Sequence, residues 1–116
     1  MAQATVADAL REFMTFMDIL DDAYWEAARI EHKDSLYDII SIFTKEVSEL
    51  NKLSVQDHHY PYEIISEGLQ RVVPRLERIN EEQLVIIPRT RTGHDFRETL
   101  SMVLNILDEQ LELGSL

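Results

Sequence analysis

Six arginines fall between residues 71 and 97 of a chain that carries 11 basic residues against 22 acidic ones. This island has more capacity for chemistry than any other group in the sequence. Arg71, Arg75 and Arg78 recur at steps of four and three, which lines them along one helix face. Arg89, Arg91 and Arg97 bracket a turn that also holds His94. Guanidinium forks grip carboxylate or phosphate with two hydrogen bonds, and a helix start beside them adds free N–H groups and partial positive charge. Two outcomes are expected of such a segment. It holds a phosphate-bearing ligand or an acidic peptide, or it is answered internally by Glu67, Glu77 and Glu81.

The remaining reactive residue types are arranged less favourably. His58 and His59 adjoin, and His59, Glu63 and Glu67 are spaced by four, but Pro61 interrupts the helix that would stack them. Zinc needs three or four converging ligands, and a di-iron bundle needs Glu-x-x-His on two helices, which this chain lacks. His32 stands at a helix end beside Lys33, and the other histidines are read in loops, so a mid-helix phosphotransfer histidine is not expected. Asp21–Asp22 and Glu81–Glu82 are adjacent pairs, and adjacent helical side chains point apart, which removes a paired-carboxylate acid and base. Three glycines leave no phosphate-cradling loop, and the absence of cysteine excludes thiolate chemistry and disulfides. The expectation is a chain with no catalytic residues, no cofactor and no metal.

Net charge sets the classes of partner. At −11 the chain is unsuited to direct nucleic-acid binding, which depends on lysine and arginine neutralising phosphates. Residues 1–70 carry 14 acidic and 5 basic groups, whereas residues 98–116 carry 4 acidic groups and no basic one. Asp18, Asp21, Asp22 and Glu26 form an acidic face suited to a basic protein, in the extreme case as a mimic of nucleic acid. The longest aliphatic run, 84–87, is far short of a membrane span, and the acidic Asp8 and Glu12 do not fit a secretory signal. A soluble cytoplasmic protein is expected, with residues 1–116 as one helical domain.

The elements that must position these residues are helices. Val6, Leu10, Phe13, Met17, Leu20, Tyr24 and Ala27 hold a heptad frame, the pattern of a helix that buries one stripe. Its span is set at 5–30, starting on Thr5 with Asp8 three residues on, and it is expected to be the longest helix. A turn at 31–34 leads to a second helix, 35–52, capped by Asp34 or Ser35 and striped by Leu36, Ile40, Phe43, Val47 and Leu50. A third helix is set at 61–79, opening on Pro61 and kinked at Pro74, with Ile65, Leu69, Val72, Leu76 and Ile79 inward. Residues 84–87 are read as a short strand or packed arm. A fourth helix, 95–113, starts from an Asp95–Glu98 capping box and ends at Gly114.

These elements predict an all-α protein, a four-helix bundle completed by dimerisation. Met14, Phe16, Ile19 and Trp25 fall outside the first stripe, and a helix apolar on more than one side is either central to the fold or covered by a second chain. The leading expectation is a non-enzymatic interaction module (regulator, adaptor or small inhibitor) that forms a homodimer through those four residues and meets another protein through its arginines. The alternatives are a small enzyme or sensor that binds an anionic metabolite at 89–97, and an acidic inhibitor of a basic protein.

Overall fold

The first helix starts as its sequence suggests. In the computed structural model, α1 (Val6–Glu26) opens on Thr5, whose hydroxyl accepts the Asp8 N–H at 3.2 Å while the Asp8 carboxylate accepts the Thr5 N–H at 3.0 Å. This reciprocal box satisfies two donors that a helix start otherwise leaves open. The Thr5 N–H also holds the Asp8 carboxyl below its usual range, with the Thr5 hydroxyl and Arg11 adding to the effect. The structure describes residues 4–53, 55–86 and 90–114, and the side chains of all of these except 83–86, 90 and 110–114.

Four more helices follow: α2 (Ile30–Asn51), α3 (Glu67–Gln70), α4 (Val73–Ile86) and α5 (Thr90–Gly114), with a 3₁₀ turn at Val55–His59. The protein is all-α, and the one strand-like feature among the described residues is an isolated antiparallel bridge between Thr5 and Pro61. There Tyr62 N–H donates to the Ala4 carbonyl at 2.8 Å and Val6 N–H to the Tyr60 carbonyl at 2.9 Å.

Several boundaries differ from the sequence expectation. The α1–α2 turn lies at residues 27–29, not 31–34, and α2 begins at Ile30 without a side-chain cap among the described residues. Ser35 sits inside that helix, and its hydroxyl donates back to the Glu31 carbonyl at 3.0 Å. At 21 residues α1 is not the longest helix; α5 has 25. The expected third helix is divided. Residues 62–66 form no regular structure, α3 is a single turn, and Pro74 lies in the first turn of a separate helix, where its missing N–H costs nothing. The chain therefore breaks at residues 71–72 where a kink was expected. The run at 84–87 is helical as far as Ile86, and its last residue is outside the described ones. Asp95 is not a cap, because α5 has already begun at Thr90.

The lack of helix at 62–66 has a specific cause. Glu46, fully buried on α2, accepts the Tyr62 hydroxyl at 2.6 Å, the Ile65 N–H at 2.9 Å and the Ser66 N–H at 2.8 Å. Helical backbone would direct these N–H groups at preceding carbonyls; here one carboxylate takes them, and a buried carboxylate is tolerable only when it is satisfied in this way. Burial first, then the bond to Glu46 and its charge, push the Tyr62 hydroxyl far above the ordinary tyrosine range.

α1 is the central element, packed against both α2 and α5, with α4 against α5. Its heptad stripe supplies Val6, Leu10, Phe13 and Leu20 to the core, and a second line, Ala9, Phe16 and Ala23 at seven-residue steps, is buried as well. Phe16 meets Phe43 of α2 at 5.4 Å and Phe96 of α5 at 5.7 Å between ring centroids. Phe13 meets Phe43 at 5.2 Å and Tyr62 at 5.4 Å, both edge-to-face, the arrangement ring quadrupoles favour. The alternative that a doubly apolar helix is central to the fold thus accounts for Phe16, which is no surface residue.

Candidate interaction surface

The arginine island does not converge. Arg75 and Arg78 lie on α4 and line a cleft of about 140 Å³ with Ser35, Asp38 and Ile39 of α2. Asp38 therefore already offers negative charge to any anion that would enter. Arg71 is exposed in the short link before α4. Arg91, His94 and Arg97 are exposed within the first two turns of α5, and His94 faces Glu98 at 3.4 Å. Arg89 lies outside the described residues. The internal answer expected from Glu67, Glu77 and Glu81 is not seen among the described residues, where Arg78 approaches Glu82 at 3.9 Å and Arg71, Arg75, Arg91 and Arg97 make no ion pair.

The histidines are likewise dispersed. His58 is half-buried in the 3₁₀ turn, with Nε2 enclosed and lacking a hydrogen-bond partner, and His59 is exposed. No group of three His, Asp or Glu side chains is placed to hold a metal among the described residues. Asp18, Asp21 and Asp22 are exposed as expected, but Glu26 is half-buried and accepts the Thr92 hydroxyl of α5 at 2.9 Å.

The surplus apolar side chains of α1 divide in two. Phe16 is fully buried and Ile19 packs half-buried against the core, whereas Met14 is 52% and Trp25 is 73% exposed. Trp25 is not alone. Its ring meets Tyr24 edge-to-face at 5.2 Å, and Tyr24 lies 6.5 Å from Tyr37 of α2. Ile30 is 72% and Tyr37 is 61% exposed. Lys33 sits between these residues. Its ammonium donates to the Tyr24 carbonyl at 2.6 Å and stands 4.6 Å from the Tyr24 ring centroid and 5.7 Å from that of Trp25. The last turn of α1 has no basic residue of its own, so Lys33 supplies the cation that the negative end of the helix favours.

From this corner an outer stripe continues along α2. Ile30, Lys33, Tyr37, Thr44 and Ser48 follow along one outer face, away from the buried Leu36, Ile39, Phe43 and Leu50, while Ile40, expected in the inward stripe, is half-buried between that face and the core. A shallow open depression of about 460 Å³ lies over it, edged by Tyr37, Ile40, Ser41, Thr44, Lys45, Ser48 and Glu49.

No family model, curated protein or solved structure matches the chain. The reading of this surface therefore rests on its residues alone. Among the described residues no helix is long and apolar enough to cross a membrane.

Sequence reasoning missed the corner because it scored α2 by its buried stripe only. The signal was present: Ile30 and Tyr37 are seven apart and fall outside the line Leu36–Phe43–Leu50, as Trp25 falls outside the heptad of α1.

Proposed function

We propose that the protein is a non-enzymatic interaction module, in which α1, α2, α4 and α5 act as a four-helix bundle that presents the α1–α2 corner and the outer face of α2 to another protein. The observation that carries this reading is the cluster of Trp25, Ile30 and Tyr37, each more than 60% exposed yet gathered at one corner. Large aromatic side chains in water are costly to maintain, and such clusters are enriched at protein contacts. Self-association through α1 has less support. With Phe16 inside, the apolar surface left on that face is Met14 and Trp25, separated by the exposed Asp18 and Asp21. Two copies meeting there would oppose these carboxylates.

The anionic-metabolite reading draws on the unpaired Arg91 and Arg97, but His94 is engaged with Glu98 and the arginine-lined cleft contains Asp38. The docking reading is tested with native-cell extract passed over immobilised protein. Proteins retained by the wild type should be lost with Tyr37→Glu and kept with Arg97→Glu. A retained set that ignores Tyr37→Glu and changes with Arg97→Glu overturns the reading in favour of the arginine segment. Sedimentation of the wild type and Trp25→Glu tests the homodimer directly.

A further inference from the structure

We infer that the partner docked at this corner is a cationic amphipathic segment of another protein, lysine- or arginine-rich on one face and aliphatic on the other. This rests on the corner being a docking face and adds the chemistry of what covers it.

The argument is charge complementarity around an apolar centre. Between Asp18 and Asp38 the chain has seven acidic residues and two basic ones. Asp18 and Asp21 share the exposed face of α1 that ends at Trp25, and Asp34 and Asp38 flank the Ile30–Lys33–Tyr37 line on α2. Asp18, Asp21 and Asp34 are exposed and make no ion pair among the described residues, whereas Asp38 shares its cleft with Arg75 and Arg78. The two basic residues are already engaged, Arg29 with Glu31 at 3.3 Å and Lys33 with the Tyr24 carbonyl. The corner therefore offers Asp18 and Asp21 on one side of an exposed aromatic cluster and Asp34 on the other, none of them in an ion pair among the described residues.

The rings suit the same partner. Tyr24 and Trp25 already hold one ammonium over their faces, and Trp25 and Tyr37 leave most of their surface open to further cations. The outer stripe from Ile30 to Ser48 is about 27 Å long, the length of a helix of about 18 residues. Lys45 stands two turns beyond Tyr37, and Glu49 at the far end is paired with Lys52 at 2.9 Å, so the acidic residues without an ion pair lie at the corner end. A second copy of this chain, a nucleic acid or an anionic membrane would each bring negative charge to a surface that already has it in excess.

The chain has a single tryptophan, so Trp25 emission reports on the corner alone. The probe is a synthetic amphipathic helix of about 18 residues with leucines on one face and lysines on the other. One control replaces its lysines by glutamates and a second replaces its leucines by serines. The Leu/Lys peptide should shift Trp25 emission saturably and bind at least about tenfold more tightly than either control, and salt should weaken it. Ile30→Ala combined with Tyr37→Ala leaves the charge intact and should weaken it about tenfold. Equal binding of the Leu/Glu peptide would leave the docking face standing and overturn its cationic partner. Equal binding of the Ser/Lys peptide, or indifference to the Ile30/Tyr37 double variant, would reduce the effect to attraction by net charge and overturn the inference. A dimer that Trp25→Glu dissociates would assign the face to a second copy and overturn it too.

Discussion

Two aromatic clusters lie along the α1–α2 hairpin, and they use similar residues to opposite ends. In the middle, Phe13, Phe16, Phe43 and Tyr62 are fully buried, and the polar atom they bring inside, the Tyr62 hydroxyl, ends on a carboxylate that also collects two backbone N–H groups. At the closed end, half-buried Tyr24 meets Trp25 at 5.2 Å and lies 6.5 Å from Tyr37, Trp25 and Tyr37 stay open to water, and the polar group among them is an ammonium. Ring contact alone therefore does not mark a core. What separates the clusters is whether a third element covers the rings. Phe16 has Phe96 of α5 across from it and Phe13 has Tyr62, whereas among the described residues Trp25 meets Tyr24 of α1 and Lys33 of α2.

The strongest test of this contrast is truncation of one ring from each cluster. Phe43→Ala empties a site between Phe13 and Phe16 and should lower stability by about 4 kcal/mol, the cost of lost transfer energy plus an uncollapsed cavity. Trp25→Ala should change it by no more than about 0.5 kcal/mol, as expected at an exposed position. Urea midpoints at unchanged m-value measure both. Comparable losses would mean that the corner is part of the core and is not a docking face.

Glu46→Ala comes next. It strands the buried Tyr62 hydroxyl and Ser66 N–H and leaves the part-buried Ile65 N–H without its acceptor, and should cost about 3 kcal/mol. The loss should be local at first: amide exchange at residues 62–66 should accelerate before that of α1 and α2. Uniform acceleration would mean that the carboxylate holds the whole core together and not just residues 62–66.

The uneven legibility of the two clusters in the sequence has a physical basis. The stripes of α1 and α2 and the Thr5–Asp8 box were readable because helical period and capping are local properties, carried by residues within a few positions of one another. In the last helix the spacing gives a stripe of Leu100, Leu104, Leu107 and Leu111 with Phe96 and Val103 beside it; Leu100, Leu107, Phe96 and Val103 are buried, Leu104 is half-buried, and the Leu111 side chain lies outside the described ones. Glu46 was not readable. Its role depends on donors 16 to 20 residues away, and nothing local separates it from a solvated glutamate. Pro61 shows the converse ambiguity: a missing N–H suits a helix start and an isolated bridge equally, and the Glu46 carboxylate decides between them. Gly93 and the threonines around it read as a turn, yet Gly93 is buried inside α5 and Thr92 is bonded to Glu26. At the candidate site, the exposure of Met14 and Trp25 was legible from the heptad; that of Tyr37 depends on which face of α2 the rest of the chain covers.

The buried phenol gives a pH-dependent version of the same comparison. The folded protein raises the Tyr62 pKa by burial and by the neighbouring Glu46, so only the unfolded chain releases this proton in the ordinary tyrosine range. The contribution to stability is therefore complete below about pH 10 and is lost progressively as pH rises above it. Tyr62→Phe should cost about 1 kcal/mol at neutral pH through the lost hydrogen bond and the unanswered carboxylate. It should also flatten the fall in stability between about pH 9 and 11, since the titrating group is gone. Urea midpoints across that range are the measurement. A variant that falls as steeply as the wild type would show that the alkaline loss arises elsewhere.

Lys33 provides the smallest and sharpest comparison, because it asks what the corner does for the fold itself. Its stem can be kept and its charge removed by Lys33→Met, which leaves the apolar contact with Tyr24 and Trp25 but withdraws the donor from the Tyr24 carbonyl and the cation from both rings. The helix end then lacks its compensating charge, and the expected cost is about 0.5–1 kcal/mol. Trp25 emission should change in the same variant, since the ammonium beside its ring is gone. A loss near that of Phe43→Ala would make the corner a structural keystone, with its exposed rings held there to seat Lys33. A loss within the expected range, with Trp25 still 73% exposed in the folded protein, leaves the fold little use for those rings, and their use is then the contact they offer to another chain.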